Sequence, residues 1–388
     1  MRGSTIAKIV VSVLAVVLLI LAWPVVRSLY FSDETSVPEP TPTPTVILIP
    51  QPEPTPTPEP VPLWYDGVFE LPISGATGYA SSPLSVYDNP NRYANEVLTL
   101  TAGEGFTILI EYDDWWLIQT DEVDGFVRNE SCFINLPDVL PSIVYDITNA
   151  YSSVMNSAGI DIPNVTGQAL YEAMEYNARR GREEFTVPVL YLTAQRLATV
   201  QKAALADGNT IIMFEAFRPR ETQRKVADNF RELVNTNREV SDALGGWGIS
   251  SFIATSVSNH QRGGAVDISI AAVVSQEVDK SGEFSFIRIR EYEEHIMPSP
   301  IHDLSARSAI FRHHVDTSSD SAWRNAQFTD TVTEGALLLL KYLTDAGFTP
   351  IASEWWHFND PISLRTVRQC GISGDFFIQS NFSIQAMR

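Results

Sequence analysis

Two short stretches constrain this chain more than anything else in it: Ser258-Asn259-His260-Gln261-Arg262-Gly263-Gly264-Ala265-Val266-Asp267 and Glu354-Trp355-Trp356-His357-Phe358. They lie far apart, and only a fold that brings them together lets their side chains act on one point. Together they supply two imidazoles and one carboxylate able to hold zinc, with a second carboxylate three residues before the last imidazole. Three protein ligands and an open fourth position make up the inventory of a catalytic zinc site.

Local patterning shows how these groups are presented. Gly263-Gly264 permits a tight turn, after which Ala265, Asp267 and Ser269 face one side of a strand and Val266, Ile268 and Ile270 the other. The apolar side can bury while Asp267 points into a site. A lone His and Asp at this spacing would read as a hydrogen-bonded core pair; the second stretch is what reverses that reading. Glu354 and His357 would face opposite sides of a regular strand, so a bulge, twist or irregular end is expected there. With His260, Asp267 and His357 on zinc, the metal brings the pKa of its water to about 7. Glu354 then serves as general base and passes the proton to the leaving amine. Trp355, Trp356 and Phe358 would shield the site. Arg218, in Phe217-Arg218-Pro219-Arg220, follows an expected strand and is the candidate for an oxyanion or a substrate carboxylate. Arg220 reads equally well as a solvated charge.

The rest of the chain places this site in an organisation of four parts. Arg2 and Lys8 precede an apolar run over 9–26, long enough to cross a bilayer and followed by a poor cleavage site, so 1–31 is expected to be an uncleaved membrane anchor. The short basic end would lie inside and everything after Arg27 outside. Pro-Glu and Pro-Thr repeats fill the linker expected over 32–64. In polyproline form, at about 3.1 Å per residue, the repeat-bearing stretch 37–62 would reach roughly 80 Å. Short alternating runs over 76–137, separated by turns such as Ala102-Gly103-Glu104-Gly105, indicate a small antiparallel barrel. From 138 to 388 the texture is α+β. A helix is expected to start at Thr186-Val187-Pro188, a strand at 210–216, and helices at 221–234 and 333–346, with a loop-rich wall over 278–328.

The formal charge of −20 argues against nucleic acid as a partner. Two cysteines, Cys132 and Cys370, define no disulfide framework. Oligomeric state is not legible.

The catalytic half resembles the zinc D-alanyl-D-alanine peptidases, the family of the vancomycin-resistance D,D-carboxypeptidases and D-Ala-D-Ala dipeptidases. The resemblance rests on Ser258, His260, Gly263, Ala265 and Asp267, on Glu354, His357 and Phe358, and on Arg218, Pro219 and Gln223, and spans about 188–360. It implies that His260, Asp267 and His357 are zinc ligands, Glu354 the base and Arg218 the stabiliser of substrate or transition state. It also implies that Gln223, Ser258 and Trp356 line the substrate pocket. The alternating region resembles the bacterial SH3-like domains that accompany cell-wall enzymes. One departure stands out. His302 occupies the place where dipeptidase members carry an acid for the ammonium of free D-Ala-D-Ala, with Asp303 beside it as a replacement. The expectation is therefore a membrane-anchored, wall-facing zinc D,D-carboxypeptidase that trims the terminal D-Ala of peptidoglycan stem peptides. A D-Ala-D-Ala dipeptidase, an L,D-carboxypeptidase or endopeptidase on the same scaffold, and a non-catalytic wall-binding protein remain open.

Overall fold

The computed structural model describes residues 63–145, 148–171 and 174–387. The expected anchor and nearly all of the expected linker lie outside them. Among the described residues no helix is long and apolar enough to cross a membrane.

The alternating runs form an antiparallel sheet. Its strands are β2 (Thr77–Ala80), β3 (Leu84–Tyr87), β4 (Glu96–Leu100), β5 (Gly105–Tyr112), β6 (Trp115–Gln119), β7 (Asp124–Arg128) and β8 (Cys132–Asn135). β1 (Leu63–Trp64) instead pairs in parallel with Phe284 and Ser285. Alternation decides the faces: on β6, Trp116 and Ile118 are buried while Trp115 and Leu117 are partly open. A strand from the following region, β14 (Pro188–Leu190), pairs with β8 and completes the order β14-β8-β2-β5-β6-β7-β3-β4.

That strand corrects one expectation. Pro188 does not open a helix; the helix runs Tyr191–Ala206. Proline lacks a ladder donor and suits an edge strand, and the apolar triplet Pro188-Val189-Leu190 is buried there. Gly208 (φ 77°) ends the turn after the helix, as its tolerance of left-handed backbone allows.

The second sheet carries the site. β9 (Val144–Tyr145), β15 (Asn209–Glu215), β16 (Ala265–Ser281), β17 (Phe284–Glu294), β18 (Thr349–Pro350) and β19 (His357–Asn359) belong to it. Two small hairpins, β10–β11 (Asn156–Ser157, Ile160–Asp161) and β12–β13 (Met174–Asn177, Arg182–Phe185), stand apart. β16 is long enough to pair with β15 on one edge and, in succession, with β19 and β17 on the other. The β16–β17 hairpin takes in the first part of the stretch read as loop-rich. Its period-two signal, Phe284-Ser285-Phe286-Ile287-Arg288-Ile289-Arg290, outweighs the polar composition. Helices Arg220–Thr236 and Glu334–Asp345 agree with their expected spans; Thr333 caps the second by accepting from Ala336 N–H.

One apolar cluster runs from Trp116 and Ile118 through Tyr191 and Leu197 to Met213, Ile268 and Leu343. The Trp116 and Tyr191 rings meet edge-on at 4.7 Å and join the first sheet to the helix. Segment 371–387 crosses both regions: Gly374 O accepts from Arg220 N (2.8 Å), Gln379 N donates to Gly103 O (3.0 Å) and Ile384 N to Gly75 O (2.9 Å). Cys132 and Cys370 are free thiols, with Ser131 Oγ 3.5 Å from Cys370 Sγ.

Candidate metal centre and cleft

Strand register builds the site. Asp267 on β16 lies opposite Glu215 of β15 on one side and opposite His357 of β19 on the other. Directly opposed residues project to the same face, so the three side chains meet. β15 reaches this register through an irregularity between Met213 and Glu215; the extra residue, Phe214, re-aims Glu215 toward Asp267. Glu354 to Trp356 precede β19 as irregular chain, the expected break, and Glu354 Oε2 stands 3.8 Å from His357 Nδ1.

His260 arrives from the turn before β16. Gly263 there has φ 68°, a conformation L-residues rarely adopt, and a Cβ would sit 2.4 Å from the Phe133 ring. The structure thus brings His260, Asp267, His357 and Glu354 into one buried corner, with Glu354 5% exposed.

The hydrogen bonds assign the imidazole tautomers. His260 Nδ1 lies 2.7 Å from Ala216 O and donates to it, which leaves Nε2 its lone pair. Asn259 Nδ2 donates to Asn359 Oδ1 (2.9 Å), and that oxygen also accepts from His357 Nε2 (3.2 Å), leaving a lone pair on His357 Nδ1. His260 Nε2, His357 Nδ1 and Asp267 Oδ1 then form a triangle with edges of 3.1, 3.0 and 3.3 Å. Three electron-rich atoms so close call for a cation between them. A tetrahedral zinc with bonds of about 2.0 Å spaces its ligands about 3.3 Å apart, so the residues present fit that ion.

Electrostatics agree with this arrangement. Burial lowers the His260 pKa and keeps its imidazole neutral despite the pull of Asp267. Burial would raise Asp267, but the imidazoles of His260, His302 and His357 packed around it hold it well below the usual carboxylate range. Burial and the Asp267 charge push Glu354 well above it, the direction required of a carboxylate that must also carry a proton.

Arg218 is deeper than the sequence suggests. It is 4% exposed; Nε donates to Glu215 Oε1 (2.9 Å), Nη2 to Glu215 Oε2 and to Asp267 Oδ2 (3.3 Å), and Nη1 to Gln223 Oε1 (2.8 Å). Its charge is engaged in supporting the acids, and the residue forms part of the cleft lining. Gln223 donates its other end to Ala254 O (2.9 Å), and Ser258 Oγ accepts from His260 N (3.1 Å). These two residues and Trp356 line a cleft of about 410 Å³ that opens on the triangle.

Four supporting residues escaped the sequence reading as such: Glu215, Asn149, Tyr171 and His302. Asn149 Nδ2 and Tyr171 Oη both donate to Glu215 (2.8 and 3.1 Å). Glu215 had a usable signal, a lone acid ending the buried run Ile211-Ile212-Met213-Phe214; Asn149 and Tyr171 had none. Asp303 does not replace the missing ammonium acceptor. It is fully buried, taking Ala158 N–H (2.8 Å) and the Arg307 guanidinium (Nε at 3.1 Å).

Two imidazoles and a carboxylate converge beside a second, protonatable carboxylate in a cleft of an α/β domain, the set of groups that metal-assisted peptide hydrolysis requires. Residues 190–370 match the family model described as D-ala-D-ala dipeptidase, a family whose members are typically zinc-dependent. No curated protein matches the chain.

Proposed function

We propose that the protein is a zinc D,D-carboxypeptidase that removes the terminal D-Ala from peptidoglycan stem peptides. The composition of the cleft carries this reading. Among the described residues that line it, the only carboxylates are Asp267 and Glu354, and both belong to the metal corner. A free D-Ala-D-Ala would bring an ammonium into this cleft with no acid of its own to meet it, and an unpaired charge out of water is costly. His302 stands in the cleft lining instead. A stem peptide carries a neutral amide at that position.

Zinc held by His260, Asp267 and His357 would supply a Lewis acid and an acidified water near neutral pH. Glu354 takes the proton of the attacking water and returns it to the D-Ala nitrogen as the C–N bond breaks. Arg218, in the cleft lining, serves the developing oxyanion or the terminal carboxylate. Trp356, Ser258 and Gln223 shape the pocket. Residues 76–137 act as an SH3-like positioning module, 1–31 as the membrane anchor and 32–64 as the stalk beyond the outer face of the membrane. That placement presents the site to wall peptides rather than to intracellular dipeptide.

A second reading, the dipeptidase, is favoured by the description of the matching family. Mass spectrometry of products from the full-length protein, offered a synthetic pentapeptide stem and free D-Ala-D-Ala, separates the two. Release of D-Ala from the pentapeptide is expected. Preference for the free dipeptide would overturn the proposal.

A further inference from the structure

His302 is buried (1% exposed), stands in the left-handed region at φ 58° and touches none of the three converging donor atoms. A non-glycine residue held in that region marks a place where the surroundings insist on a particular side-chain position. Its Nε2 lies 3.2 Å from Asp267 Oδ2, the oxygen turned away from His260 and His357. Its Nδ1 lies 3.3 Å from Asn149 Nδ2. The same amide donates to Glu215 Oε2, a partner that accepts only, so the amide nitrogen must face both groups. Nδ1 is therefore the acceptor, and Nε2–H points at Asp267. The ring is held edge-on by Trp356 (5.7 Å between centroids) and Phe214 (6.5 Å), and the backbone is tied by Asn156 N–H to His302 O (3.1 Å).

Glu215, Asp267 and His302 could themselves be taken for a second metal group. The Arg218 guanidinium already fills that role, since it bonds both Glu215 oxygens and Asp267 Oδ2. What remains for His302 is orientation. Asp267 has two oxygens and one free rotation about its carboxyl; with Oδ2 fixed by His302 and Arg218, Oδ1 is left facing the two imidazoles.

We propose that His302 is a positioning residue that locks the Asp267 carboxylate in its metal-binding orientation, with Asn149 setting its tautomer. This rests on the zinc reading given above. Outer partners of this kind typically change metal affinity by about 10- to 100-fold.

The test uses full-length protein with Zn²⁺ and Co²⁺ as probes. Zn²⁺ affinity is read by competition with a chromophoric chelator, and ligand geometry by the visible absorption of the Co²⁺ form. His302→Leu is expected to lose about 10- to 100-fold in Zn²⁺ affinity and to change the Co²⁺ spectrum. His302→Gln, whose Nε2 can replace the imidazole donor, is expected to recover most of both. Parent-like affinity in His302→Leu overturns the proposal. So does a His302→Gln variant as weak as the Leu variant, since the ring's bulk would then be what matters. If His302→Leu fails to fold by thermal melting, Asn149→Ala decides: weaker Zn²⁺ binding supports the proposal and unchanged binding ends it. A parent that binds no Zn²⁺ removes the zinc reading as well, which separates the two failures.

Discussion

Replacing Glu354 by Gln tests the central chemical assignment with little structural disturbance. Among the described residues the Glu354 carboxylate accepts no hydrogen bond, and His357 Nδ1 stands 3.8 Å away. Glutamine is nearly isosteric, leaves no buried donor orphaned, and removes an acid that burial and Asp267 already push toward its neutral form. The melting temperature should therefore stay level or rise, with a stability change within about 0.5 kcal/mol or a small gain. Zn²⁺ affinity should hold within a few fold, because the three converging donors are untouched. Turnover is where the loss should fall. A positioned general base is worth about 10² to 10⁴ in rate, or about 3 to 5 kcal/mol of barrier. The assay is D-Ala release from a synthetic pentapeptide, with kcat and KM separated, on protein whose zinc content has been measured. Because proton transfer belongs to the transition state, kcat should fall with little change in KM. A folded, zinc-loaded Glu354→Gln enzyme that cleaves within tenfold of the parent would refute the base assignment.

Other measurements bear on the remaining parts. A chelator should abolish D-Ala release and Zn²⁺ should restore it; activity that survives complete metal removal would contradict the metal reading. Arg218→Ala strips Glu215 and Asp267 of a shared buried cation and should cost about 3 to 5 kcal/mol in denaturant unfolding, far more than a surface arginine. Gly263→Ala forces a left-handed alanine whose Cβ falls 2.4 Å from the Phe133 ring; a loss of about 2 kcal/mol or more is expected, with weakened Zn²⁺ binding through displaced His260. Burial raises Glu70 from 4.5 to about 7, against the hydrogen bonds from Ser142. The folded protein then keeps a proton that the unfolded chain has released, so this group's contribution to stability falls as pH rises from about 4.5 to about 7. Glu70→Gln should flatten that slope and add up to about 3 kcal/mol at pH 8, read from urea unfolding at several pH values.

Much of the architecture was legible wherever one face of an element is buried. The runs Phe106-Thr107-Ile108 and Trp115-Trp116-Leu117-Ile118 announce strands because inward and outward residues alternate, and 334–345 announces a helix through its capped, leucine-rich stripe. The metal corner was legible because its residue types are rare in combination. Pairing partners were not. Pro188-Val189-Leu190 carries no mark of the strand it will join, so it reads as a helix start until β8 is seen beside it. The support around Asp267 was hidden for a similar reason: Asn149, Tyr171, Glu215 and His302 lie far apart in the chain, and their convergence depends on a one-residue irregularity in β15 that no composition records.

Segment 371–387 has a consequence for how the protein comes into being. Thr107 Oγ1 donates to Phe382 O (2.7 Å), Gln261 Nε2 to Ser373 O (2.6 Å), and Arg220 N to Gly374 O, so this strip fastens groups made long before it. Contacts spanning such sequence distances form late and slowly. During synthesis the earlier chain must wait, its Gly103 and Gly75 carbonyls uncovered, until the strip has left the ribosome. A nascent chain stalled near residue 370 would hold every residue of the metal corner and still lack the strap that fastens it to the neighbouring sheet.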